Sequence, residues 1–423
     1  MADVQREARR IGAVIRQARV SQGRSQADVA QALGYHQSKV SRLENGRGTG
    51  DVRLLREIAR ALDIPLGRLG LAVPLEARRT ESCAETVRRR TLLATGVAAL
   101  TAPAPPPGTR QELIASLLPG PPPDPPCRIP ALGELRDRVT AVRRLFCTCD
   151  YAELARTLPG LVSALRQAVG ESPGSAELSA LLATAYQTAV SLFLKQGDHG
   201  NAWLAVGRAV AEAERSGDPV VLASSVRVHA HALARERHTG QAITLVRHTS
   251  GQLAGAYDQR SPRHLAALGL LLLRGVTAAS SGGDREATQE LLLEAKEVAR
   301  YVALDRPDEW ANFSPLNVAL HEMSAAVALG DPSLALRAAR QLMRRHIPVP
   351  ERRAALWIET ARAYTQQGRL AEGYQALRIA ESCAAQDIRR PAVRELVAHM
   401  AARDHRRTLP QLHDFSRRLG VPA

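Results

Sequence analysis

The chain has 423 residues, a formal net charge of +15 and a pI of about 10.5, a balance that favours polyanionic partners through counterion release. Only three lysines stand among its 57 basic residues, and the abundance of Ala, Leu and Arg is also what a high-GC genome writes, so part of the excess is compositional habit. No run reaches the ~18 to 20 uninterrupted apolar residues needed to cross a bilayer, which excludes a membrane-spanning reading and predicts a soluble protein.

In chain order, Ile11, Val14, Ile15 and Ala18 repeat at helical spacing and predict a first amphipathic helix. The segment Ser25 to Asn45 then reads SQADVAQALGYHQSKVSRLEN, two short helices joined at Gly34, Tyr35 and His36. Ser25 is a candidate N-cap with Asp28 three residues on, an approximate capping box, and Val29, Ala30 and Leu33 give this helix one apolar face. Gly34 ends it, because only glycine enters the left-handed conformation without steric cost. The next helix, Gln37 to Glu44, commits only Val40 and Leu43 to a core and turns Gln37, Ser38, Lys39, Ser41 and Arg42 outward, so it must meet something polar. Leu54, Leu55, Ile58, Ala59 and Leu62 form another helix, and Pro65 starts a last one with Leu66 and Leu69.

These five helices resemble the Cro/C1-type (XRE) helix-turn-helix family, through SQADVAQALG and QSKVSRLENG in order, with His36 where that family usually has a serine or threonine cap. A helix fits the major groove, and amide or guanidinium groups at its start form paired hydrogen bonds to base edges. Gln37, Ser38 and Arg42 are therefore the base-reading candidates, Gln37 suiting adenine and Arg42 guanine. The resemblance implies phosphate contacts from Gln26 and Asn45, with Lys39 and Arg47 adding charge; such contacts position the helix without reading sequence. Residues 1–75 carry 13 basic and 7 acidic side chains, a balance of +6.

Residues 76–130 read as a linker with one helix. Arg88-Arg89-Arg90-Thr91-Leu92-Leu93 imitates a twin-arginine export signal, but it lies behind a complete domain and reads as internal; its apolar stretch, Leu92 to Leu100, suits a hinge docking on the C-terminal domain. TAPAPPPG at 101–108 and LPGPPPDPPCRIP at 118–130 favour extended geometry and predict a semi-rigid or disordered spacer, with a proline-rich ligand for a partner as the other reading. Cys83, Cys127, Cys147, Cys149 and Cys383 form an odd, scattered set, which predicts a reducing cytoplasm. Cys147 and Cys149 lack zinc-site spacing, His321-Glu322 lacks the second histidine of a zinc-protease helix, and no nucleotide or hydrolase motif occurs. No enzyme, cofactor or metal site is expected.

From residue 131 to 423 one helix-pair unit repeats. Turns at Gly197, Arg237, Gly282, Gly330 and Gly368 are each followed five residues later by a small residue, Ala202, Ala242, Ala287, Ala335 and Gly373, with a weaker unit at Cys149 and Leu154. Such pairs cannot bury their apolar faces alone and must stack into a solenoid. They resemble tetratricopeptide repeats, sharpest at Trp357, Ala361, Tyr364, Gly368 and Ala380 and around Tyr186 to Ala209, though with longer periods. The resemblance implies a groove lined by Thr184, Gln187, Ser191 and Lys195; Ser224, Arg227, His231 and Arg235; Asn317 and Ser324; and Arg362, Thr365 and Gln366. Of these, Gln187, Arg227, His231, Asn317, Arg362 and Gln366 are the ligand or partner candidates, a polar and basic set suited to a peptide backbone or an acidic group. Trp357 and Tyr364 are expected in the core, and Pro391 to Leu419 as a cap or dimer contact.

The fold expectation is all-α. The combination resembles bacterial regulators joining a Cro/C1-type head to a peptide-sensing repeat domain, and implies a cytoplasmic, homodimeric transcription factor on a palindromic operator. Its repeat domain would dimerise and receive a peptide or small molecule. Two rivals remain open: a regulator whose repeats dock a partner protein with no diffusible ligand, and a scaffold whose helix-turn-helix contacts protein.

Overall fold

The computed structural model describes residues 2–22, 24–47, 51–62, 64, 107–120, 129–255, 261–302 and 313–421 and divides into two units, residues 1–100 and 101–423. Among the described residues the chain is helical, without strands. The expected helix from Pro65, the Arg88 to Leu100 segment, Cys83, Cys127 and most of both proline-dense stretches lie outside them.

In the first unit, α1 (Ala2–Ser21), α2 (Gln26–Ala32), α3 (Gln37–Glu44) and α4 (Val52–Ala61) close on one apolar cluster. Ile15, Val29, Val40, Leu43, Leu55 and Ile58 are buried, as their helical spacing requires, with Val14, Ala18 and Leu33 packed at the margin. The capping box at the start of α2 is complete: Asp28 N donates to Ser25 Oγ at 3.1 Å and Ser25 N to Asp28 Oδ2 at 2.7 Å. Gly34 turns the chain at φ +69°. Arg24 and Gln22 donate to the carbonyls of Ala61 and Leu62, satisfying the acceptors that the end of α4 leaves open. Gly12 lets α1 cross the end of α3 without a gap, since a Cβ there would sit 2.6 Å from the Glu44 carbonyl oxygen.

The second unit begins earlier than the spacer reading suggests. Helix α5 (Pro107–Leu117) lies inside the stretch read as linker, with proline tolerated in its first turn. Its Leu113 and Leu117 are buried in the core of this unit. Arg110 pairs with Asp198 at 2.5 Å, and Arg166 donates to the Ser116 carbonyl at 2.7 Å. The proline-dense flanks masked the periodicity of Leu113, Ile114 and Leu117.

Among the described residues six helix hairpins come next: α6 (Leu132–Cys147) with α7 (Tyr151–Glu171), α8 (Ala176–Gln196) with α9 (His199–Ser216), α10 (Pro219–Arg235) with α11 (Thr239–Gly255), α12 (Pro262–Gly282) with α13 (Arg285–Ala299), α14 (Pro315–Ala328) with α15 (Pro332–Leu342), and α16 (Pro350–Gln366) with α17 (Leu370–Cys383). One turn geometry recurs in all six. Cys149, Gly197, Arg237, Gly283, Gly330 and Gly368 are left-handed. The N–H of each following residue bonds the carbonyl five positions back, at 2.8–3.0 Å, so orphan carbonyls of the first helix are satisfied before the second begins. The fourth turn residue is Gly283, not Gly282 as spacing suggested, because two adjacent glycines are equally able to turn left-handed. The buried small position there is accordingly Thr288, whose N–H bonds the Asp284 carbonyl as that of Ala202 bonds Asp198.

The first helices of the six hairpins lie side by side in order, and α16 also touches α6, so the stack closes into a ring. Lys195 Nζ at the end of α8 bonds Glu351 Oε1 at 2.7 Å and Asp387 Oδ1 at 2.8 Å, the latter in the short helix α18 (Ala385–Ile388). Tyr151 Oη donates to the same Asp387 oxygen at 2.9 Å, and Gln386 bonds the Ala152 N–H and the Asp150 carboxylate. Helices α19 (Pro391–Arg403) and α20 (Pro410–Arg418) bury Val393, Val397, Met400, Leu412 and Phe415 in the shared core. Helices α8 and α12 are long and apolar enough to cross a membrane, yet most of each is buried among its neighbours.

Candidate nucleic-acid interface and ring interior

The outward face of α3 is built by subtraction: Val40, Leu43 and Glu44 are buried and anchor it, and Gln37, Ser38 and Arg42 are exposed. The structure brings Gln37, Ser38 and Arg42 together on that exposed face, with Asn45 and Arg47 exposed at its far end. His36 does what a serine would do, its Nδ1 accepting the Ser38 backbone N–H at 3.4 Å. The same nitrogen lies 3.0 Å from Ser38 Oγ, so that hydroxyl is shared between cap and surface.

The phosphate candidates are placed differently. Lys39 Nζ sits 3.6 Å above the Tyr35 ring, whose hydroxyl donates to Glu57 at 2.7 Å; the ammonium is held close to the turn rather than swinging free. Asn45 donates to the Ser41 carbonyl at 2.9 Å and closes the end of α3. Gln26 is half-buried and donates to Glu44 Oε2 at 2.7 Å, tying the start of α2 to the end of α3. Arg19 completes that knot with bonds of 2.5 and 3.0 Å to the two Glu44 oxygens. Burial alone would push the Glu44 carboxyl up, but the hydrogen bonds from Arg19 and Gln26 reverse this and hold it below its ordinary value. The amide groups of Gln26 and Asn45 each keep one further N–H for an outside acceptor. Sequence reading missed Glu44 and Arg19, which orient α3 against α2 and α1; a carboxylate on the inner side of so polar a helix was the available signal.

The groove candidates divide. Gln187 is fully buried, its amide donating to the Val221 carbonyl and to Ser225 Oγ at 2.9 Å, so it joins α8 to α10 instead of lining a groove. Asn317 is buried too, and its carbonyl accepts from His321 Nδ1 at 2.9 Å. Thr184, Ser191 and Thr365 are buried, the last two donating to carbonyls of their own helices, and Lys195 is committed to the ring closure. Gln366 is exposed, with its amide on the Val327 carbonyl at 2.9 Å. Arg362 lies half-buried 3.7 Å from Glu359. Trp357 and Tyr364 are half-buried, each packed against a buried apolar cluster on one side and lining a shallow depression with Gln375 and Ile379 on the other.

Arg227 and His231 lie one turn apart on α10, in a neighbourhood that includes residues sequence reading did not single out. Arg143 of α6, Arg274 of α12, His321 of α14, and Glu351 and Arg352 of α16 belong to the same electrostatic neighbourhood. Each is half-buried. Burial pushes Arg143 down to about 9, Arg227 to about 10 and Arg274 to about 9, and for Arg143 and Arg274 the neighbouring Arg227 adds to the effect. Burial likewise lowers His231 well below its ordinary value, and His321 to about 4. The missed signal was a lone arginine in the most apolar stretch of the chain, LGLLLLRGVTAAS around Arg274.

Cys147 and Cys149 are pushed up by burial, to about 11 and about 12, so both stay protonated thiols. Residues 10–69 match a protein-family model described as a helix-turn-helix domain. No curated protein matches the chain. The first unit therefore carries a helix-turn-helix DNA-binding domain, joined in one chain to a closed ring of helical repeats.

Proposed function

We propose that the protein is a sequence-specific transcriptional regulator that lays α3 in the major groove and uses its repeat ring to dimerise and to receive a signal. The observation that carries the reading is the exposed Gln37, Ser38 and Arg42 face on a capped helix held rigidly by the Glu44 knot. Gln37 and Arg42 read base edges, while the remaining N–H groups of Gln26 and Asn45, with Lys39 and Arg47, hold phosphates. A Cro/C1-type dimer places two such helices about one DNA turn, ~34 Å, apart and calls for an inverted-repeat operator. A signal then acts by favouring one spacing of the heads over another, through its differential affinity for the two states. Closure of the helix pairs into a ring supports a diffusible ligand over a docked protein, which needs an open face. The place of action is the cytoplasm, and no catalytic role is assigned.

The test is selection of genomic fragments by the full-length protein, followed by binding at fixed salt. Selected fragments should share an inverted repeat, and Gln37→Ala with Arg42→Ala should remove the preference over random duplex, each bidentate contact being worth ~1 to 3 kcal/mol. Undiminished operator affinity in the double variant overturns the reading.

A further inference from the structure

We propose that the repeat unit carries a second surface for nucleic acid, formed by the turn Gln366 to Arg369 and the loop Arg403 to Thr408, which holds the phosphate backbone of duplex DNA flanking the operator through Arg369, Arg403, Arg406 and Arg407. The proposal rests on the reading that α3 lies in the major groove of an operator, and adds to it a contact that reads no sequence.

The two segments are joined in the structure. Arg403 Nη1, at the end of α19, donates to the Thr365 carbonyl at 2.6 Å, and the same guanidinium lies against Gly368. Arg403, His405, Arg406 and Arg407 are all exposed. From residue 396 to 413 the only carboxylate is Asp404, and it is buried. Both of its oxygens are taken up from inside the loop: it accepts from the Thr408 N–H at 2.9 Å, Thr408 Oγ1 at 2.8 Å, the Leu409 N–H at 2.9 Å and His413 Nε2 at 3.2 Å. Asp404 therefore braces the loop and leaves the charges of Arg406 and Arg407 outward, with no carboxylate paired to either among the described residues. Arg407 holds φ +51°, a left-handed backbone in which a side chain is strained and glycine is not, so an arginine stands there at a cost.

The turn makes an independent case. The position after the turn residue is Asp150, Asp198, Asp284 or Asp331 in four of the hairpins, and the first three of these accept an N–H at the start of the second helix. The sixth hairpin has Arg369 there, a side chain with no acceptor, and α17 starts without a side-chain cap. Its guanidinium lies 4.6 Å from the centre of the Tyr364 ring, with Glu372 at 2.8 Å. A charge reversal that gives up a cap, beside a loop that turns its arginines outward, matches a polyanion. The duplex bound by the first unit is the polyanion that covalent linkage keeps at high local concentration.

Binding of the full-length protein is measured on two duplexes, one ending at the limits of the selected inverted repeat and one with random sequence added on both sides. At about 50 mM salt the flanked duplex should bind roughly tenfold tighter, and the advantage should be gone by about 200 mM, the behaviour of two phosphate contacts. Arg406→Gln with Arg407→Gln should remove that advantage and bind the short duplex as the parent does. On the flanked duplex its slope of log Kd against log salt should fall by about 1 for each arginine lost. Arg369→Asp restores the cap, so it should melt no lower than the parent and yet bind the flanked duplex more weakly, a combination that misfolding does not give. Equal affinity of the parent for the two duplexes overturns the proposal, as does a flank advantage undiminished in either variant. Equal affinity together with binding of poly(L-glutamate) through the same arginines assigns the surface to an acidic protein segment and overturns it too. Should the parent select no operator, the regulatory reading fails separately, and a salt slope on random duplex that still falls in the double variant leaves this surface standing.

Discussion

At the scale of single residues, the same side-chain chemistry gives opposite outcomes according to enclosure. Gln187 and Arg227 each lie ten positions before the turn residue of their hairpin, yet one is sealed between helices and the other is only half-buried. Local sequence does not distinguish them, because burial depends on how far neighbouring helices overlap, and offsets taken from a shorter repeat do not transfer to longer helices. His36, by contrast, was legible as a cap position, and its ring nitrogen fills the role that a hydroxyl more often takes. His321 carries a pH consequence. Its folded value, lowered to about 4 by burial and by Arg274 and Arg352, lies below the ordinary 6.5, so the unfolded chain binds the proton more readily. Stability is therefore lost as the pH falls from about 6.5 towards about 4, and His321→Gln should flatten that limb in urea titrations run at a series of pH values. An unchanged slope would remove His321 from the account.

At the scale of elements, the apolar periodicity of the head made most of its core readable, since Ile15, Val29, Val40, Leu43 and Ile58 each follow from helical spacing alone, whereas the buried Ile64 stands beyond the end of α4 and carries no such signal. The hairpin turns were readable for a different reason, a residue able to turn left-handed recurring ahead of a small buried one. Cys149 and Arg237 are the two exceptions within that set, side-chain-bearing residues at φ +61° and +68° where the other four turns have glycine. Arg237→Gly should raise stability by up to about 1 kcal/mol, read as a higher urea midpoint with unchanged slope. Helix α5 was hidden by its proline-dense flanks, although Leu113 and Leu117 stand at helical spacing.

At the scale of the whole second unit, closure of the ring sets the architecture. No local pattern announces it, because the joining residues, Tyr151, Lys195, Glu351 and Asp387, are far apart in the chain. Burial would push the Asp387 carboxyl up, but Lys195 and Arg390 overcome that and keep it below its ordinary value. Lys195→Met leaves Glu351 without its bonded cation and Asp387 with Arg390 alone, 3.6 Å away, and should lower stability by roughly 3 to 5 kcal/mol, the usual effect of breaking a buried pair. Small-angle scattering should show the radius of gyration rising as the ring opens; a variant as stable and compact as the parent would mean the closure is held by packing alone.

An open row of helix pairs frays from its two termini, each pair leaning only on the next. Here neither terminus is loose: Asp387, Gln386 and Glu351 hold the last pairs to the first, so fraying must begin by parting that seam. The thermal cooperativity of the unit is thus tied to the few charges of that seam.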